Sequence, residues 1–182
     1  MQAQVDAIRV PVPSARAAGN SLVLAPAGAA LFGVAVAFSS SGAGLLPSVV
    51  AWAAALPLLS TVTWLICLPA LYIPWAAREP QLTIAATGRA AFASVTVFGI
   101  CLGATAPIQW FFATTAPGSQ WLAALGFSFI WLALIAAHVT FARALEEEGL
   151  RLATWAQLLF FALQGCTFFQ FIHMVGLRFF PE

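Results

Sequence analysis

The segment FALQGCTFFQFIHM, residues 161–174, is strongly apolar but carries three hydrogen-bonding side chains, Gln164, Gln170 and His173. Within an apolar run such groups either bind a ligand or hydrogen-bond to a neighbouring helix. On a helix, Gln170 and His173 project from a similar side, about 120° away from Gln164. We expect all three side chains to face protein and to pack against other helices. A cavity that holds a ligand is the alternative.

The two histidines, His138 and His173, are the candidate ligands for a haem or a pigment. A haem held between two helices needs two axial ligands at one depth. His138 lies near the cytoplasmic end of its predicted span, whereas His173 lies about 21 residues, or roughly 30 Å, from the cytoplasmic start of the next. This separation excludes one bis-histidine haem and leaves only a contact from a single histidine. Because no carboxylate accompanies either residue, we expect no metal site and no bound cofactor.

Common catalytic patterns are absent from the sequence. It has no HExxH motif, no glycine-rich phosphate loop, no acidic pair in an apolar run, and no nucleophile with a histidine and an acid at usable spacing. The three cysteines, Cys67, Cys101 and Cys166, lie singly in apolar runs, where we expect them to pack as small apolar side chains. The sequence therefore predicts that the protein is not an enzyme.

The composition indicates where these side chains lie. Of the 182 residues, 62% are hydrophobic and 7% are charged, and the mean hydropathy is +0.96. Soluble domains carry roughly 25% charged residues, so this chain has too few charges for an ordinary water-facing surface. The seven basic residues are all arginine and form no basic stripe, so we expect lipid around the chain and no nucleic-acid partner.

Five apolar runs each reach the roughly 20 residues that cross a 30 Å hydrocarbon core. The sequence thus predicts an all-α, polytopic transmembrane helical bundle, with a short cytoplasmic arm over residues 1–20 and a single transmembrane domain over residues 21–182. The first run is rich in small residues and only mildly hydrophobic, so four spans are the alternative to five. The predicted spans are residues 21–41, 49–75, 82–112, 120–141 and 152–178.

The arginines indicate the orientation, since cytoplasmic loops are enriched in basic residues. With the N-terminus in the cytoplasm, six of the seven arginines lie at cytoplasmic ends and only Arg178 lies outside. We therefore expect a cytoplasmic N-terminus in a bacterial inner membrane. The six are Arg9, Arg16, Arg78, Arg89, Arg143 and Arg151.

Two charged features near the cytoplasmic side have more than one interpretation. Arg89 lies one to two turns inside the third predicted span, and its long side chain can carry the guanidinium back to the interface. A buried ion pair or a ligand contact is the alternative. We expect Glu146, Glu147 and Glu148 to form a solvated turn, with a docking patch for a partner as the alternative.

Small residues at intervals of four indicate close packing of helices, because lipid provides no hydrophobic force between them. Gly99 and Gly103 form such a pair in the third predicted span. The first span carries a longer series at the same interval: Ala25, Ala29, Gly33 and Ala37. The sequence leaves open whether the neighbouring helix belongs to the same chain or to another.

Two segments, LPLLSTVTWLICLPALY and APIQWFFATT, loosely resemble a pattern in uncharacterised bacterial multi-span proteins that are distantly like the Yip-type membrane family. The resemblance covers about one third of the chain. It implies a short cytosolic arm, five spans and a role in membrane trafficking and organisation through partner binding rather than catalysis. The residues that carry it are Pro57, Cys67, Pro69, Tyr72, Ala106, Pro107, Phe111 and Phe112.

Small size, short loops and small-residue stripes together favour a non-enzymatic accessory or scaffold subunit of a larger membrane complex. Such a subunit would contact other membrane proteins or copies of itself. A small channel or transporter component is the first alternative, and a pigment- or haem-binding membrane subunit is the second.

Reporter fusions test the predicted orientation. A reporter placed after Ala43 or after Glu182 should lie outside the cell, and one placed after Glu147 should lie in the cytoplasm, because the arginines favour the inner side. Alkaline phosphatase activity and green fluorescent protein fluorescence report the two locations. The reverse pattern would contradict both the orientation and the depths assigned to the histidines.

Overall fold

The computed structural model describes residues 15–39, 45–79, 81–116 and 119–174. These residues form five α-helices and no β-strand, so the all-α prediction is confirmed for the part of the chain that is described. The helices are α1 (Ala15–Ser39), α2 (Leu45–Ala76), α3 (Ile84–Thr115), α4 (Gln120–Glu147) and α5 (Thr154–Met174).

The helices have the length and composition of membrane spans. In the described chain, α2 to α5 are each long and apolar enough to cross a bilayer, and α1 contributes the shorter apolar stretch Val23–Phe38. The protein is therefore an integral membrane protein with four to five spanning helices. A helix pairs most of its backbone donors and acceptors within itself, which is why hydrocarbon tolerates this architecture.

Among the described residues, the helix bounds differ most from the predicted spans at the start of α1 and at the end of α4. Helix α1 begins at Ala15, six residues before the predicted span, and residues 1–14 of the predicted arm lie outside the described residues. Helix α4 continues six residues past Phe141, because helix formation does not stop where the hydrocarbon stops. Residues 175–178 of the fifth predicted span, including Arg178, also lie outside the described residues.

Contacts between helices give their directions. Helix α1 packs against α2 and α3, α3 packs against α4, and α5 packs chiefly against α2. Ala25 lies beside Gly99, and Phe38 lies against Trp110 further along both helices, so α1 and α3 run parallel. Successive helices alternate in direction, which brings the α2–α3 and α4–α5 connections to one end of the bundle.

Helices α1 and α3 touch through their backbones. A Cβ atom added to Gly99 would overlap the carbonyl group of Ala25, and one added to Gly28 would overlap the carbonyl group of Gly99. Gly103 faces Gly28 at similarly close range. The structure thus places the glycine pair predicted from α3 against a helix of the same chain.

The stripe predicted on α1 has two separate contacts. Gly33 lies against the backbone of Trp52 in α2, and Ala29 is buried in the core. Gly28, which is not in the series of fours that starts at Ala25, also lies directly against α3. Residues three apart and four apart share a helix face, so a series counted only in fours misses part of the surface.

Aromatic side chains, rather than glycines, connect α5 to the other helices. Trp131 of α4 stacks against Phe161 and Phe169 of α5, with ring centroids 5.6 and 5.4 Å apart. Trp64 of α2 lies 5.8 Å from Phe160. Because whole rings fill the space between the backbones, α5 stands further from α4 than α1 stands from α3.

Four arginines, Arg78, Arg89, Arg143 and Arg151, lie at one end of the bundle, which we call the arginine end. Trp75 of α2 and Trp155 of α5 pack together there with ring centroids 5.5 Å apart. Indole rings sit well at the level of lipid headgroups, so this pair is consistent with a membrane interface near the arginine end.

Replacing Gly99 with leucine should disrupt the α1–α3 contact, because a branched side chain cannot fit where two backbones touch. We expect a loss of about 1–3 kcal/mol or more, seen as lower yield and a lower Tm in detergent. Gly88→Leu is the matched control on the same helix, since nothing lies within 4 Å of a Cβ at that position. Equal effects of the two substitutions would contradict the packing role of Gly99.

Candidate polar site in the membrane interior

A narrow gap lies at the centre of the bundle, where four helices meet. Its lining combines three polar side chains with aromatic and aliphatic ones, and the gap is too narrow to admit a water molecule. We call this gap the central gap. It is lined by Ser60, Thr63 and Trp64 of α2, Phe98 of α3, Leu134 of α4, and Gln164 and Phe168 of α5.

Helical spacing brings the polar lining together. Ser60 and Thr63 are three apart on α2, so both project toward α5. Gln164 lies near the middle of α5, where its side chain is 1% exposed. The edge-to-face contact of Phe98 with Phe168, 5.8 Å between centroids, closes one side of the central gap.

The polar atoms of the central gap are only partly satisfied. The hydroxyl of Ser60 donates to the carbonyl of Pro57 at 2.9 Å, a local bond to the preceding turn. Thr63 Oγ1 and Gln164 Nε2 are buried and have no hydrogen-bond partner among the described residues. A buried unsatisfied group of this kind costs about 1–3 kcal/mol.

The arrangement limits the chemistry of the central gap. A hydroxyl and an amide offer hydrogen bonds but do not exchange protons near neutral pH. The central gap therefore offers hydrogen-bonding groups but no side chain for acid–base or nucleophilic catalysis. Its binding capacity depends on a movement that widens it.

The prediction that Gln164, Gln170 and His173 all face protein is corrected for the last two. Gln164 is buried among the other helices, but Gln170 and His173 are exposed and face away from them. The reason is angular: with 3.6 residues per turn, positions 170 and 173 lie about 120° and 180° around the helix from position 164. One face of α5 therefore cannot bury all three.

His138 lies near the arginine end of α4, against the rings of Phe160 and Phe161 at 6.0 and 5.4 Å between centroids. It is half-buried, and neither ring nitrogen has a hydrogen-bond partner among the described residues. His173 lies 12 residues beyond Phe161, about 18 Å along α5, so the structure does not bring the two histidines together. In the described chain, no three side chains of His, Cys, Asp or Glu lie close enough to hold a metal ion.

Arg89 pairs with Glu148 at the arginine end. Its Nη2 lies 2.6 Å and its Nε lies 3.2 Å from Glu148 Oε1, and the two side chains are 63% and 40% exposed. The pair is therefore exposed, unlike the buried ion pair considered from the sequence. An exposed pair of this kind contributes at most about 1 kcal/mol, so it guides the α4–α5 connection more than it stabilises the fold.

The chain turn after α4 explains why Glu148 reaches Arg89. Gly149 adopts a positive φ of 78°, and the amide of Leu150 donates to the carbonyl of Leu145 at 3.0 Å. This is the Schellman arrangement, in which glycine ends a helix and the next apolar residue packs back on it. The sequence indicated a solvated turn here but not that one of its three glutamates is an ion-pair partner.

The buried polar residues that were not singled out from the sequence include Ser60, Thr63 and Gln109. Gln109 of α3 donates from Nε2 to the carbonyl of Leu122 in α4 at 3.3 Å, beside Gly126. The sequence does contain a signal for these three residues. Each is a polar residue that interrupts an apolar run, and each follows a proline within a helix by two to six positions. What the sequence lacks is the direction in which each side chain points.

Comparison with models of known protein families, with curated proteins and with solved structures gives no match. The resemblance to Yip-type proteins therefore stays a prediction.

Gln164→Leu should be tolerated or should raise the Tm, because it removes a buried amide that has no partner for its nitrogen and keeps most of its volume. Gln109→Leu is the contrasting variant and should cost about 1 kcal/mol, since it breaks a bond between α3 and α4. Thermal unfolding in detergent measures both. A large loss of stability in Gln164→Leu would show that the amide has a structural partner.

Proposed function

We propose that the protein is a non-enzymatic accessory or scaffold subunit of a larger complex in the bacterial inner membrane, and that the outer face of α5 contacts a partner helix. The observation that carries this proposal is the exposed amide of Gln170. It lies 16 residues after Thr154, about 24 Å along the helix, within the thickness of a hydrocarbon core.

An amide that faces hydrocarbon without a partner costs several kcal/mol. Other exposed polar side chains of this bundle avoid that cost by bonding to their own helix: the hydroxyls of Thr61, Thr114 and Ser128 each donate to a carbonyl one turn earlier. Gln170 and His173 form no hydrogen bond or ion pair within the described chain. A partner that supplies hydrogen-bonding groups at this depth would remove the cost.

The exposed positions on α5 form a continuous stripe. Cys166, Gln170 and His173 follow one another at intervals of four and three, the spacing of one helix face. Helix pairs in membranes associate through polar and small side chains of this kind, with each hydrogen bond contributing about 0.6 kcal/mol on average. The stripe therefore suits a contact that selects a partner and fixes its position.

The absence of catalytic patterns in the sequence and the role implied by the Yip-type resemblance support the same proposal. A small channel or transporter component is the second candidate, and the central gap favours it, because Thr63 and Gln164 place unpartnered polar atoms in the middle of the bundle. That role requires the central gap to widen. Flux through reconstituted vesicles that Gln164→Leu abolishes, with assembly intact, would favour this second candidate.

Site-specific photo-crosslinking in native membranes tests the accessory role. A photo-reactive phenylalanine at Gln170 should give a protein adduct of higher mass, because the partner helix covers this position. The matched control is the same group at Leu65, an exposed position of α2 that is 68% accessible and whose polar neighbour on that face, Thr61, is bonded to its own helix. There we expect lipid adducts alone.

Two results would contradict the accessory role. Lipid adducts alone at both positions would show that Gln170 faces the bilayer. Protein adducts at both positions in equal yield would show that capture does not depend on the α5 stripe. Oxidative crosslinking through Cys166, which is exposed on the same stripe, distinguishes a second copy of the chain from a different subunit by the mass of the product.

A further inference from the structure

A groove opens sideways from the bundle between α2 and α5 at the arginine end. It encloses about 220 Å³ and is distinct from the central gap. We call it the lateral groove. It is lined by Ala70, Leu71, Pro74, Trp75 and Arg78 of the α2 side and by Trp155, Ala156, Leu159, Phe160 and Leu163 of α5.

The walls of the lateral groove are apolar along its length. Leu71, Ala156 and Phe160 are buried and form its floor, whereas Leu159 and Leu163 are exposed along its rim. The lining extends over nine residues on each side, from 70 to 78 and from 155 to 163, or about 12 Å. This length approaches the ~15 Å thickness of one leaflet's hydrocarbon layer.

The mouth of the lateral groove carries one cation. Arg78 lies there beside Trp75 and Trp155, and the structure records no ion pair for its guanidinium within the described residues. Glu79 follows it directly in the sequence but is not paired with it. A guanidinium presents several N–H donors in a geometry that matches phosphate oxygens.

We propose that the lateral groove binds one anionic phospholipid, with an acyl chain between α2 and α5 and the phosphate on Arg78. Each part of such a lipid has a counterpart in the lateral groove. The apolar walls suit the acyl chain, their length approaches that of one leaflet, and the cation lies at headgroup level. Tryptophan rings at the mouth suit the boundary between chain and headgroup. Basic pockets between spanning helices are known to bind anionic headgroups.

The lipid-binding proposal does not rest on the accessory role, because the polar stripe of α5 and the lateral groove use different residues. Cys166, Gln170 and His173 lie towards the opposite end of α5 from Trp155. A partner helix on the stripe and a lipid in the lateral groove can be present together. Failure of the crosslinking at Gln170 therefore leaves the lipid proposal standing, and the reverse is also true.

Native mass spectrometry of the full chain in detergent provides the test. The protein is titrated with phosphatidylglycerol, with phosphatidylcholine of the same acyl chains, and with glycerol phosphate, which has no chain. We expect one phosphatidylglycerol to bind in preference to phosphatidylcholine and glycerol phosphate not to be retained. Arg78→Gln should reduce the affinity for phosphatidylglycerol about five-fold, the effect expected for one arginine near a membrane surface.

Two matched variants separate the headgroup contact from general charge and general surface effects. Arg151→Gln removes an exposed arginine from the same end of the bundle outside the lateral groove and should keep the preference. Ala70→Phe fills the lateral groove from an exposed position and should weaken binding of both lipids, whereas Ala54→Phe, exposed on the same helix, should not.

Three outcomes would overturn the lipid proposal. Equal retention of phosphatidylglycerol and phosphatidylcholine would show that the lateral groove does not distinguish an anionic headgroup from a zwitterionic one. An equal effect of Arg78→Gln and Arg151→Gln would show that only overall charge matters. Retention of glycerol phosphate as strong as that of the lipid would show an anion site without an acyl-chain groove.

Discussion

The backbone contact between α1 and α3 is the constraint on which the other packing depends. Gly28, Gly99 and Gly103 leave no room for side chains, so the two helices lie directly against each other. In a membrane, dispersion forces between closely packed helices replace the hydrophobic force that drives folding in water. The apolar stretch of α1, Val23–Phe38, is also the shortest of the five, and a helix of small residues gains more from protein neighbours than from lipid. The backbone contact between α1 and α3 thus fixes the position of α1 in the bundle.

Once α1 and α3 are joined, the remaining helices pack with larger side chains. Helix α4 crosses to α3 with the help of the Gln109 bond, and α5 meets α2 and α4 through tryptophan and phenylalanine rings. Aromatic rings hold the backbones of neighbouring helices apart, whereas glycines allow the backbones to touch. The wider spacing around α5 produces both the central gap, at the middle of the bundle, and the lateral groove, at the arginine end.

Helix α5 therefore has three different surfaces. Its inner face places Gln164 in the central gap, its outer face presents Gln170 and His173, and its first turns border the lateral groove. The proposed partner contact and the proposed lipid site follow from the second and third surfaces. Both are binding roles, which agrees with a bundle whose interior polar groups are amides and hydroxyls rather than ionisable pairs.

The sequence by itself determined the class of the protein, the helical content and the approximate position of each span, because hydropathy and helical periodicity are local properties. It also indicated Gly99 and Gly103 as close-packing residues and separated His138 from His173 by depth, since depth depends only on counting along a helix. Rotation about each helix axis was decided by the tertiary structure alone. It turns Gln164 inward and Gln170 outward, selects Gly28 as the partner of Gly99, and pairs Arg89 with Glu148. These facts depend on which helices become neighbours, and in a chain that is apolar on nearly every face the hydrophobic pattern carries little information about rotation.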